Sequence, residues 1–217
     1  MIPKLKIVVF NYETRINGQN RPEEIATRCK AEIFGIGNNL RNVTAEMRKS
    51  LRQKELADVA RLCLYHYENL LFRMYSLRER AWDVQAALVD VPRERTGKQG
   101  FRLTVLTRTK AVYPELEIPF TRLQALIEGD MRTRNTATHE TFLMLGLTNE
   151  NFSNLWEVDS VLESYDPESK DGLEIRKLVR RLLRQFVTEK EKHAGEVNDV
   201  ATEYCDLCDE AIRKKSW

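Results

Sequence analysis

An arginine, an asparagine and a histidine fall within six residues, Arg134, Asn135 and His139, in the stretch Met131–Leu147, MRTRNTATHETFLMLGL. A guanidinium is a two-pronged donor suited to phosphate oxygens. An imidazole exchanges a proton near neutral pH. Together the two types point to chemistry on a phosphate ester. The spacing alone is weak, because Arg61 and His66 repeat it. Five residues along a regular helix turn the direction by about 140°, so the pair converges only where the helix is interrupted. Gly129 and Asp130 predict such a break. Thr133 would then cap the next helix, with Arg134 in its first turn and His139 one turn further in. A helix start adds unpaired N–H groups and a favourable dipole for an anion. Arg61–His66, in the middle of a helical pattern, is read as a decoy.

The element that must hold this site is the longest pattern in the chain. Leu56, Ala60, Cys63, Tyr67, Leu70, Met74, Leu77, Ala81, Val84 and Leu88 recur at steps of four and three, a heptad seam. Leu64, Leu71 and Trp82 widen it, which predicts a helix inside a bundle, ending before Pro92. The rival reading makes the seam a surface for a partner, with Leu70 and Met74 at its centre. His66, Asn69, Arg73, Ser76, Arg80 and Asp83 form a polar stripe on the same helix. Two readings stand for it, a solvated face or a basic wall against a polyanion. Glu68 lies at the border of the apolar face near Tyr75, either pairing an arginine or orienting a catalytic group.

Around these, residues 6–10 (KIVVF from Lys6) predict a short strand ending in the turn Asn17-Gly18. A helix is expected from Pro22, with Glu23 and Glu24 in its first turn, ending around Gly35 and Gly37. Residues 92–102, PRERTGKQGFR, read as a surface loop or a nucleic-acid-contacting one. Phe101–Leu106 predicts a strand, pairing with residues 6–10 or with residues near Val112. Phe120–Glu128 reads as a short helix leading into the site. Beyond His139, Phe142, Leu143, Leu145 and Leu147 would anchor the site-bearing helix. Thr148 or Asn149 would cap a helix through Phe152, Trp156, Val161 and Leu162, up to the turn at Asp166-Pro167. From Leu173 onward one very long helix is expected, with Gly195 as the point of any bend. Arg176, Lys177, Arg180, Arg181 and Arg184 form a basic cluster on its first half.

The expected fold is therefore an all-α bundle of about four to six helices with two long ones. Short strands or a small hairpin are added near the N-terminus and at residues 101–113. The 217 residues carry 42% hydrophobic and 31% charged side chains, a globular composition. A net charge of +2 argues against coating nucleic acid by bulk electrostatics. Residues 6–10 are too few for a signal core or a membrane span, so a cytoplasmic protein without membrane contact is expected. Cys29, Cys63, Cys205 and Cys208 then read as reduced thiols. Cys205-x2-Cys208 invites zinc, yet a structural site needs four ligands and only His193 is a nearby third. The expectation is no metal and no cofactor.

YHYENLLFRMYSLRERA at residues 65–81, followed by RNTATH at 134–139, resembles the HEPN superfamily. The match runs from about residue 55 to the C-terminus, leaving residues 1–50 as an unmatched extension of one helical domain. The resemblance implies a bundle of four or five helices. It also implies, in active members, a metal-independent endoribonuclease working as a dimer, plausible as a prokaryotic toxin or defence effector held by a protein inhibitor or antitoxin. Carried onto this chain, His139 moves the proton, Arg134 stabilises phosphate charge and Asn135 holds either in place. Glu68 is an acidic partner. Apart from the resemblance, the basic-wall reading of the α2 stripe makes Arg73 and Arg80 RNA contacts, with Arg132 beside them. One histidine cannot act as acid and base at once, so two copies facing each other in a homodimer would complete the site. The alternative is a catalytically inactive HEPN-like module that binds RNA, nucleotide or protein.

Overall fold

The structure, a computed structural model, describes residues 21–92, 99–139, 166 and 168–215, with the backbone alone given at 99 and 130–139. The strand expected at residues 6–10, residues 93–98 of the loop expected at 92–102, and the helices expected across 140–165 lie outside the described residues; the end of that loop is corrected, because residues 99–102 are helical. What is described is an all-α bundle. Helix α1 is Pro22–Ser50 and α2 is Leu56–Leu88. Helix α3 is Gln99–Val112, followed by a 3₁₀ turn at Pro114–Leu116. Helix α4 is Glu117–His139 and α5 is Lys170–Lys214. At 1.5 Å per residue α5 is about 68 Å long.

Every residue of the heptad seam on α2 is buried, and Leu70, Met74 and Leu77 are fully enclosed. The seam therefore packs inside the chain's own bundle, which removes the reading of Leu70 and Met74 as a partner surface. The helix ends where Val89 leaves helical geometry and Asp90 takes a positive φ of 53°. Lys215 closes that end from across the bundle. Its Nζ donates to the Ala87 carbonyl at 3.0 Å and pairs with Asp90 at 2.8 Å, where a cation suits the negative end of the dipole.

One expected helix end is corrected. Helix α1 does not stop at Gly35 and Gly37 but runs on to Ser50. Two helical glycines cost about 1 kcal/mol each, whereas burying Leu40, Val43 and Met47 beyond them returns about 1.5–3 kcal/mol per side chain. Packing wins. Gly37 also has a job: a Cβ there would meet Asn198 Oδ1 at 2.7 Å, so its lack of a side chain lets α1 approach α5. Gly35 faces open space. Gly37→Leu should cost about 1–3 kcal/mol by overpacking, while Gly35→Ala should add about 0.5–1 kcal/mol of stability. Equilibrium urea unfolding of the two variants checks the opposite signs.

The strand expected over 101–106, with its hairpin towards residue 113, is also corrected: the segment is helix α3. Its β-branched residues suggest a strand, but Phe101, Val105 and Thr109, four apart, are the buried positions. That period belongs to a helix. Trp82 receives this side of the bundle, with Arg102 over its ring at 5.3 Å. Helix α5 begins three residues before the expected Leu173: Ser169 caps it by accepting from the Gly172 N–H at 3.0 Å, and Asp166 Oδ1 accepts from the Glu168 N–H.

Candidate functional site

Three sets of contacts fix the registers around residues 134–139. Trp82 of α2 meets Phe120 of α4 edge to face at 4.8 Å. One turn back along α2, Arg78 donates to Gln124 at 3.2 Å and pairs with Glu128 at 3.7 Å. Helices α2 and α4 are therefore antiparallel. Tyr67 meets Phe186 at 5.1 Å and the Tyr204 hydroxyl donates to the Ala81 carbonyl at 3.1 Å, so α2 and α5 run parallel. Phe120 against Tyr204 and Arg122 against Glu203 complete the triangle. Arg78, absent from the candidates above, is the residue that ties α2 to α4. Its place one turn before Trp82 is the signal for it.

Counting back 14 residues from Trp82, about 21 Å of helix, brings Glu68 level with Arg134–Thr138 on α4. The α5 contacts agree, because counting from Tyr204 to Phe186 arrives at the level of Thr138. Glu68, Tyr75 and Trp82 are seven apart and so share one face of α2, the face that Trp82 turns to α4. Glu68 is exposed, and partial desolvation raises its carboxyl above the ordinary value. The side chains of Arg132, Arg134, Asn135 and His139 lie outside the described residues.

The backbone of that segment corrects one expectation. Helix α4 is unbroken from Glu117 to His139, so Gly129 and Asp130 do not interrupt it and Thr133 does not cap a new helix. Arg134 and His139 lie more than fifteen residues past the start of α4, away from the positive end of its dipole. A lone glycine inside a helix costs only about 1 kcal/mol, too little to break one already anchored by Phe120, Leu123 and Ile127. Within one chain the two residues now diverge by about 140°. The same argument that sets aside Arg61–His66, which lies within α2, applies to them.

The polar stripe of α2 is mostly satisfied by its own neighbours. Arg73 is half-buried and donates to Asn69 at 3.0 Å. Ser76 donates to the Phe72 carbonyl. His66 stacks edge-on with Tyr65, and burial lowers its pKa against the opposing pull of Glu46. Arg80 pairs with Glu32 of α1 at 2.7 Å and with the buried Asp83 at 2.8 Å. It serves the α1–α2 interface rather than an open basic wall.

The four cysteines are free and buried. Burial pushes the Cys29 thiol to about 11, and those of Cys63 and Cys205 to about 12, with Cys208 also raised. Such thiols are poor nucleophiles and poor metal ligands. Among the described residues no group of three or more His, Cys, Asp and Glu is arranged to hold a metal ion, and no helix is long and apolar enough to cross a membrane. Two recesses of about 200 and 180 Å³ are lined by Pro22, Asp83 and Asp90, and by Gln85, Thr109 and Thr121. Both lie towards the end of α2 far from Glu68.

No family model, curated protein or solved structure matches the chain.

Proposed function

We propose that the chain is an HEPN-like, metal-independent endoribonuclease that works as a homodimer in the cytoplasm, in the manner of a toxin or defence effector. What supports the reading is Arg134-Asn135-x3-His139 within α4, with Glu68 level with it on the face of α2 turned that way. RNA brings its own nucleophile, the ribose 2′-hydroxyl. His139 takes or returns the proton, Arg134 stabilises charge on the phosphate oxygens, and Asn135 orients one of them by hydrogen bonding. Glu68 orients the histidine or buffers its charge, and Arg73 and Arg132 hold the RNA backbone. Because the unbroken helix turns Arg134 and His139 apart, a site within one chain is disfavoured. The form of the proposal that remains is a cleft shared by two copies across a two-fold axis.

The second reading is a catalytically silent HEPN-like module that binds RNA or a protein inhibitor, and the continuity of α4 through the motif favours it. Purified protein incubated with mixed RNA and chelator separates the two. The nuclease yields fragments ending in 2′,3′-cyclic phosphate, and it yields none as the His139→Ala variant. Binding without fragments from the unmodified chain overturns the first reading in favour of the second.

A further inference from the structure

The basic cluster on the first half of α5 has not been used so far. At 100° per residue, Arg176, Arg180, Arg184, Lys177 and Arg181 fall within a sector of about 140° on one side of the helix. Asp171 and Glu189 fall about 80° beyond the edge of that sector, and Glu174 about 20° beyond it. A merely solvated helix intersperses its signs, whereas from Ile175 to Thr188 this one carries five cations and no carboxylate. Glu191 lies in the basic sector but is held by Arg48 of α1.

Tertiary structure extends the cluster. Arg180 Nη2 donates to the Lys54 carbonyl at 3.3 Å, so the α1–α2 turn, with exposed Arg52 and Lys54, lies against this part of α5. Among the described residues none of the seven cations meets a carboxylate within 4 Å. The cations flanking them do: Arg48 with Glu191, Lys49 with Glu46, Arg61 with Asp58. The patch is also at the same end of the bundle as residues 134–139, since Phe186 is level with Thr138.

We propose that Arg52, Lys54, Arg176, Lys177, Arg180, Arg181 and Arg184 form a binding surface for the sugar-phosphate backbone of single-stranded RNA. Five of the seven are arginine, whose fork matches phosphate. A bilayer is a poorer fit, because an interfacial helix needs a free apolar face and here Val179, Leu183, Phe186 and Val187 are buried in the core. The choice of RNA over another polyanion rests on the function proposed above; the surface itself does not.

The test uses a labelled single-stranded RNA of mixed sequence, titrated by fluorescence anisotropy over a range of KCl. The chain carries His139→Ala throughout, so that turnover does not intervene. Adding Lys177→Ala, Arg181→Ala and Arg184→Ala, all at exposed positions, should weaken binding about tenfold or more. It should also reduce the slope of log affinity against log salt by about 2, three contacts at about 0.7 each. Arg122→Ala, Lys192→Ala and Arg213→Ala remove the same charge elsewhere and should leave both nearly unchanged. Equal losses in the two triple variants, or no loss in the first, overturn the proposal, as does polyglutamate competing as well as unlabelled RNA. Cleavage by the otherwise unmodified chain is scored separately, so an absent nuclease leaves the binding surface standing, and the reverse also holds.

Discussion

Replacing His139 with alanine is expected to lower RNA cleavage by about 10²–10⁴-fold, the usual worth of a positioned proton-transfer group. Arg134→Ala should cost about 10²–10³-fold through lost stabilisation of phosphate charge. The sharper result concerns mixed dimers. Because α4 is one helix through the motif, the two positions of a single copy lie about 140° apart around its axis, and the proposed cleft needs both copies. Wild-type and His139→Ala chains unfolded together in equal amounts and reassembled give about a quarter wild-type pairs in a two-fold dimer. If one cleft uses both histidines, specific activity should fall to about a quarter of the all-wild-type value. Independent sites in each chain would leave about half. The latter result would sink the shared cleft, whatever the single variants do.

The second large effect is on stability. Arg80→Met should destabilise the fold by about 3 kcal/mol, read as a lower urea midpoint with an unchanged slope. Arg80 joins Glu32 and Asp83, and the three side chains are 12%, 26% and 5% exposed. Methionine keeps much of the stem's volume but leaves the Asp83 carboxylate buried beside the more exposed Glu32 with no guanidinium between them. Breaking such a pair on one side costs about 3–5 kcal/mol. The lower end applies here because Glu32 keeps some water and has Arg28 at 3.9 Å. Removing the second charge as well, in Arg80→Met/Asp83→Leu, should recover at least half of the loss. A single variant within 1 kcal/mol or so of wild type would show that the network is not desolvated.

These two residues also mark how far each level of reading reached. Periodicity identified α2 down to its core residues, because a seam of ten apolar positions has few ways to be buried. It also marked the long α5 helix. On the other face of α2, the same periodicity grouped Arg73 and Arg80 into one stripe with two possible fates. For Arg80 the fate depended on Glu32, about 50 positions away in sequence and on another helix. Helix ends were the weakest part. Gly35, Gly37 and Gly129 are local breaking signals worth about 1 kcal/mol each, and the burial of residues on either side outweighs them. The α3 segment shows the same contest, with β-branched content pointing to a strand and the four-residue spacing of Phe101, Val105 and Thr109 deciding for a helix.

By itself the sequence determined that the chain is a helical bundle and which faces of α2 and α5 are apolar, and it nominated residues for the proposed phosphate chemistry. Those follow from side-chain type and from periods of three and four. Only the tertiary structure decided that Gly37 is a close-packing point, that Arg80 is an interior ion-pair partner, and that the α1–α2 turn joins the basic side of α5. It also decided that Arg134 and His139 share one unbroken helix. Each of these turns on residues far apart in the chain, or on a balance between local propensity and burial. Neither can be weighed until the partner helices are in place.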